Sequence, residues 1–172
     1  GLVPKRRTIC IAKSPDNIDV SEWPLTLDID EQFYFKPDGG NILITPGDET
    51  PMKPADVYPE ELDVALGIDR FQQVVDVDIN RIVKRWAGQR TFVKDKSPVV
   101  GFDTKVPQFF WLVGQGGYGI QMAPALAKIA ASLAMRRRGN DVCFAGEIES
   151  STISPARFQT KHHYRSEEHT SE

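Results

Sequence analysis

The segment Phe109-Phe110-Trp111-Leu112-Val113-Gly114-Gln115-Gly116-Gly117-Tyr118-Gly119-Ile120-Gln121 carries more structural information than any other in this chain. Five apolar residues without polar alternation predict a strand buried on both faces. Glycines follow at 114, 116, 117 and 119, and then a helix is expected from about Gly119 to Arg138. Pro124 is expected to be tolerated within the first turns of that helix, where its missing N–H costs little. Such a strand, turn and helix start suits an anionic or electron-rich group. The first helical N–H groups lack partners, the helix dipole adds about half a positive charge there, and glycines let a ligand approach the backbone. The spacing Gly114-x-Gly116-x-x-Gly119 also satisfies the dinucleotide fingerprint, which leaves a nicotinamide-binding domain as one reading. That reading needs a second strand ending in an acidic residue about 20 positions on, followed by further βα units. The next candidate strand, residues 141–147, brings Glu147 later than this, and little chain follows.

Working towards the N-terminus, Pro98 to Phe102 predicts a short strand and Ile79 to Trp86 another, leading into Ala87-Gly88-Gln89-Arg90-Thr91-Phe92. Pro59 to Phe71 reads as a helix, with proline and acidic residues at its front. Its apolar stripe is expected along Leu62, Ala65, Leu66 and Val74, with Asp69 interrupting it. Pro46, Gly47, Pro51 and Pro54 mark a loop. Glu31 to Pro37 and Asn41 to Thr45 predict two strands joined by a turn at Asp38-Gly39-Gly40, where glycine supplies positive φ. Trp23 to Asp30 is weakly extended, and Arg7 to Ala12 is a strand. Trp86 and Trp111 are expected in the core. Lys94-Asp95-Lys96 reads as a solvated turn, and Arg136-Arg137-Arg138 as a helix C-terminus matched to its dipole.

The bulk properties narrow the function classes. With 172 residues the chain can form a domain with a real core, or part of a larger one. Hydrophobic residues at 40% and charged residues at 26% exclude a disordered or collagen-like chain. A net charge of −3 gives no broad basic field for nucleic acid. No apolar run approaches the ~20 residues that span a bilayer. Cys10 and Cys143 have no CxxC spacing, so no metal site or redox motif is expected, and a reducing, cytoplasmic setting is. All three histidines, His162, His163 and His169, fall in a polar tail after Phe158 that is expected to be disordered. Residues 165–172 resemble a translated DNA-sequencing adapter and are expected not to be native. The ordered part thus offers no histidine base.

The glycine segment, extended through Ala123-Pro124-Ala125, resembles the C-terminal flavin-contacting motif of FAD-dependent amino-acid oxidoreductases. This is the superfamily of D-amino-acid oxidase, glycine oxidase and sarcosine oxidase, and the resemblance is nearest to the D-arginine-dehydrogenase-like branch. Further matches occur in order: Pro4-x-Arg6-Arg7-Thr8, Phe33 to Gly40, Trp86-Ala87-Gly88-x-Arg90-Thr91-Phe92, Asp95-x-Ser97 to Gly101, and Ser154-Pro155-Ala156-Arg157-Phe158. The resemblance covers about residues 1 to 158. It lacks the N-terminal Gly-x-Gly-x-x-Gly unit that holds the ADP half of FAD. The implied fold is α+β: a largely antiparallel substrate-domain sheet, plus the C-terminal strands and helix of an FAD-binding domain whose N-terminal Rossmann unit is missing. The implied division is a substrate-binding portion over 1–90, the C-terminal part of the FAD domain over 91–158, and a tail over 159–172.

The resemblance implies FAD as cofactor, an amino acid or amine as substrate, and the missing N-terminal half of the same polypeptide as partner. It implies hydride transfer from the substrate α-carbon to flavin N5, giving an imine that water hydrolyses. A fragment of this kind is expected to be inactive alone. Arg90 is expected to grip the substrate carboxylate with two parallel charge-assisted hydrogen bonds. Tyr34 matches a tyrosine that assists, although a packed core tyrosine fits the flanking Phe33 and Phe35 equally. Arg7 matches a position facing the active site, or is one of several strand-edge cations with Lys5 and Arg6. Gly116 is expected to line the floor of the substrate site. Gly117, Tyr118, Gly119, Ile120 and Gln121 are expected around the flavin N1–C2=O edge, where N–H groups stabilise the charge of reduction. No catalytic acid or base and no metal ligand is assigned. Besides the flavoenzyme and the nicotinamide-binding domain, a non-catalytic β-rich binding module is the third reading.

Overall fold

The computed structural model describes residues 1–135 and 149–159, the side chain of Ser150 excepted. The described chain falls into two compact units, Gly1–Lys96 and the part from Ser97 onward. The sequence-derived boundary at residue 90 falls inside a strand of the first unit.

The first unit is a five-stranded sheet with one helix. Its strands are β1 (Val3–Ala12), β2 (Thr26–Leu27), β3 (Tyr34–Asp38), β4 (Asn41–Thr45) and β5 (Ile82–Phe92), in the spatial order β2-β3-β4-β1-β5. Every pairing is antiparallel. The β3–β4 turn uses Gly39 and Gly40 at φ +57° and +77°, the positive pair that a two-residue hairpin turn requires. β1 and β5 are longer than the sequence suggests and pair along their whole length, from Val3 opposite Phe92 to Ala12 opposite Ile82. β4 covers only the C-terminal part of the other edge of β1. Beside its N-terminal part the loop after β4 takes over: Arg6 N–H donates to the Thr50 carbonyl at 2.9 Å, and Met52 N–H to the Pro4 carbonyl at 2.9 Å.

Helix α1 (Glu61–Val74) packs on one face of this sheet. Its buried residues are Val64, Gly67 and Phe71, so the expected stripe is corrected: Leu62 is 77% exposed and Val74 63%. Two contacts fix this rotation. A Cβ on Gly67 would come within 3.2 Å of Pro46 Cδ, so the helix meets the loop closely only at a glycine. Phe71 meets Phe35 edge-on, with ring centroids 5.0 Å apart. The core beneath α1 holds Cys10, Ala12, Phe33, Phe35, Ile42 and Ile44.

In the second unit β6 (Val99–Phe102) and β7 (Phe110–Val113) form an antiparallel ribbon. Helix α2 (Gly119–Ala134), a short helix α3 (Ser150–Ile153) and a 3₁₀ turn (Pro155–Phe158) complete it. Val100 packs with Leu126, Ile129, Ala130 and Ile153, and Phe110 and Met122 lie against them. The expectation of a strand buried on both faces is corrected. Among the described residues β7 has β6 as its one neighbour, and Leu112 is exposed. Trp111 is half-buried, with its Nε1–H donating to Asp103 at 2.8 Å, and Trp86 is surface-exposed beneath Lys84 rather than in the core. Pro124 is the sixth residue of α2, so it withholds a donor from the Ile120 carbonyl. Ile120 is almost fully exposed, so water can serve that carbonyl. The sequence 154–158 works as a clasp: the Ser154 hydroxyl accepts from Ala156 N–H, and Arg157 donates to the Ser97 carbonyl at 2.8 Å. The candidate strand 141–147, Arg136–Arg138, Cys143 and the histidine tail lie outside the described residues.

Candidate functional site

Antiparallel partners and alternate residues of a strand share a face. Arg6, Thr8 and Cys10 lie on the helix-covered face. Lys5, Arg7, Ile9 and Ile11 lie on the opposite one. The register carries that second face across the sheet: Lys5 is opposite Arg90, Arg7 opposite Gly88, Ile11 opposite Leu43, and Thr45 opposite Tyr34. Tyr34, Arg7 and Arg90, three positions far apart in sequence, therefore project from the same face, with Arg7 on the strand next to that of Arg90. All three are half-buried.

Arg90 Nη1 donates to the Gln89 carbonyl at 3.2 Å, and no carboxylate pairs with Arg90 among the described residues. Its guanidinium folds back over Gly88, where an added Cβ would sit 3.3 Å from Nη1. The glycine of Ala87-Gly88-Gln89-Arg90 thus clears room for the arginine, and it does so directly opposite Arg7. The Tyr34 hydroxyl has no hydrogen-bond partner among the described residues, which leaves it available to an incoming acceptor.

Among the described residues Arg7 has one carboxylate partner, with Nη2 3.5 Å from Glu49 Oε1, and its Nε is buried with no acceptor. Glu49 was not foreseen from the sequence. Its Oε2 also pairs with Lys5 at 2.8 Å and with Lys96 at 2.9 Å. Burial pushes its carboxyl pKa up, but the hydrogen bonds and charges of Lys5 and Lys96 outweigh that and hold it below the ordinary value. Lys96 lies in the solvated turn expected at 94–96, with its side chain half-exposed, and pairs with Glu49 from there. It also lies over the Phe92 ring at 5.9 Å, with Lys5 over the same ring at 4.8 Å. The only sequence signal for Glu49 is an acidic pair, Asp48-Glu49, inside a Pro/Gly loop.

Asp48, the neighbour of Glu49, serves the other face. It accepts from Thr8 N–H at 2.6 Å and lies 3.5 Å from Arg6 Nε. Arg6 also pairs with Glu60, and with Asp63 at 2.7 Å. One buried cation thus meets three carboxylates beside the start of α1.

In the second unit, Gly114 and Gly116 adopt φ +75° and +56°, which non-glycine residues rarely tolerate, and so form the turn into α2. The first helical bond runs from Met122 N–H to the Tyr118 carbonyl. The amides of Gly119, Ile120 and Gln121 are left without backbone acceptors at the helix start. Nothing lies within 4 Å of a Cβ built on Gly117, and Gly117, Tyr118, Ile120 and Gln121 are exposed. Open glycine backbone and N–H groups without backbone acceptors among the described residues fit the electron-rich edge of a flavin. Among the described residues no group of His, Cys, Asp and Glu could hold a metal ion, and no helix is long and apolar enough to cross a membrane.

This chain belongs to the FAD dependent oxidoreductase (DAO) family, whose pattern it matches over residues 2–133. The match includes the glycine turn, which is therefore part of a flavin-dependent family. The antiparallel pairing of β7 with β6 also differs from the parallel neighbours of a nicotinamide Rossmann unit. FAD is the cofactor of the family. Solved structures share the fold. Iminodiacetate oxidase from Chelativorans sp. is 16% identical with a TM-score of 0.67, over 90% of this chain and 40% of that one. Glycine oxidase from Geobacillus kaustophilus is 18% identical with a TM-score of 0.65, over 86% and 40%. L-proline dehydrogenase from P. horikoshii is 18% identical with a TM-score of 0.65, over 81% and 37%. The chain thus spans roughly two fifths of the length of these enzymes.

Proposed function

We propose that this chain supplies the substrate-carboxylate clamp and part of the flavin site of an enzyme that oxidises an amino acid or related amine. The observation that carries this reading is the shared sheet face of Arg90, Arg7 and Tyr34, with no carboxylate on the Arg90 guanidinium among the described residues, in a chain of this family. Bound FAD would supply the hydride acceptor for oxidation at the substrate α-carbon, with the amine nitrogen giving up a proton, and water would hydrolyse the imine product. Everything else assigned to the chain is binding and orientation. Arg90 binds the α-carboxylate through two parallel N–H···O bonds, and this fixes the α-carbon in one orientation. Arg7 adds a second guanidinium from the adjoining strand, and the Tyr34 hydroxyl donates to a carboxylate oxygen. Gly116 leaves room for substrate at the turn. The backbone of Gly117, Tyr118, Gly119 and Ile120, with Gln121, holds the electron-rich edge of the flavin at the positive end of α2.

The narrower proposal is a D-amino acid as substrate, as the ordered motifs of the D-arginine-dehydrogenase-like branch suggest. We further propose that the ADP half of FAD is held by a preceding segment of the same polypeptide, that the present chain alone is inactive, and that the enzyme works in the cytoplasm. The test is anaerobic mixing of the full-length, FAD-loaded protein with D-amino acids, their L-enantiomers and simple amines. Loss of the oxidised-flavin absorbance with a D-amino acid is the expected result. Reduction by L-enantiomers alone overturns the D-specific proposal, and no reduction by any member overturns the oxidoreductase reading.

A further inference from the structure

Glu49 stands at the junction of the cationic face. Its two oxygens are used unequally: Oε2 takes both lysines, at 2.8 and 2.9 Å, whereas Oε1 faces Arg7 alone at 3.5 Å. The last distance is long for a charge-assisted hydrogen bond. It is close enough for attraction, but it does not exhaust the arginine. Arg7 keeps a buried Nε without an acceptor, and its side chain is only 18% exposed. The residue opposite Arg7 is Gly88, over which the Arg90 guanidinium folds. Two guanidinium groups converging on one patch repel each other, and a nearby carboxylate offsets that repulsion.

We propose that Glu49 is a positioning residue for Arg7. Lys5 from β1 and Lys96 from the turn after β5 anchor one oxygen of Glu49. The other oxygen then holds the Arg7 guanidinium beside Arg90, with donors left over for the substrate carboxylate. This rests on the reading of Arg7 and Arg90 as the carboxylate clamp, and it adds a residue that touches no substrate. It also gives Lys96, on a turn remote from Arg7 in sequence, a role in the same site.

The experiment is a double-mutant cycle on the full-length FAD-loaded protein with Glu49→Gln, Arg7→Gln and the pair. Two quantities are read: steady-state kinetics with the best substrate, and the affinity for propionate by titration calorimetry. Propionate has the carboxylate and no amine to oxidise. Glu49→Gln is expected to raise KM and weaken propionate binding by about tenfold, with kcat within about threefold. In the Arg7→Gln background the same substitution is expected to change either quantity by less than about twofold. Lys96→Gln, at a half-exposed side chain, is the milder variant if Glu49→Gln fails to fold. It should weaken propionate binding about threefold with Arg7 present and not without it. Equal losses with and without Arg7, or unchanged or tighter propionate binding in Glu49→Gln, would overturn the proposal. A flavin that no amino acid or amine reduces, alongside a non-additive propionate cycle, would instead defeat the functional reading and leave the positioning role standing.

Discussion

Two neighbouring arginines, Arg6 and Arg7, leave opposite faces of the same strand and meet opposite fates. Arg6 is buried against α1 and surrounded by Asp48, Glu60 and Asp63. Among the described residues Arg7 shares a single carboxylate with two lysines, and Arg90 across the strand pair has none. The Nε of Arg6 and that of Arg7 are each buried without a hydrogen-bond acceptor among the described residues, so the difference lies in charge: three carboxylates offset Arg6 and one offsets Arg7. A half-buried guanidinium whose neighbours leave it short of acceptors has room for an anion from outside. The alternation of the β-strand places the two arginines on opposite faces within one dipeptide, as the proposed roles require.

Breaking the saturated side should cost the fold. Arg6→Met leaves Asp48 and the α1 residue Asp63 without their cation, and a loss of about 3–5 kcal/mol is expected. Chemical denaturation measures it, and a midpoint unchanged from the parent would mean that Arg6 is not structural. Removing a single donor from the open side should cost much less and leave stability alone. Tyr34→Phe is expected to lower kcat/KM about 3- to 10-fold, mostly through KM, with the unfolding midpoint unmoved. Equal kinetics would assign Tyr34 to packing. The smallest effect concerns Cys10, buried under α1, whose thiol burial pushes up to about 11 from 9.0. The unfolded chain then releases that proton first, so this contribution to stability is intact below pH 9.0 and lost as pH rises towards 11. Thermal unfolding of the parent should fall more steeply across that window than that of Cys10→Ala. Parallel curves would show that the thiol is not desolvated.

Much of this architecture could be read from the residues. The Asp38-Gly39-Gly40 turn announced its hairpin because only positive φ closes a two-residue loop. The strand, turn and helix around Gly114–Gly119 could be read from composition alone. The rotation of α1 could not. Leu62 and Leu66 form the better stripe on paper, but the close approach of Pro46 selects Gly67, and Phe35 selects Phe71. The same limit applies at the site. The family resemblance marked Arg90, Tyr34 and Arg7 as candidates, but their shared face depends on the register of β1 with β5 and of β3 with β4, which local sequence does not encode. Glu49 had only the weak signal of an acidic pair in a loop, because its meaning comes from Lys5 and Lys96, which reach it from two distant segments.

The central claim is that the open face of the sheet receives a substrate carboxylate on Arg90. Its most direct test compares an amino-acid substrate with the matching amine that lacks the carboxylate, in the full-length protein and in Arg90→Gln. The parent is expected to favour the amino acid by at least about 100-fold in kcat/KM, and Arg90→Gln to lose most of that preference while its flavin content and unfolding midpoint stay unchanged. An Arg90→Gln enzyme that still favours the carboxylate as strongly as the parent would contradict the account.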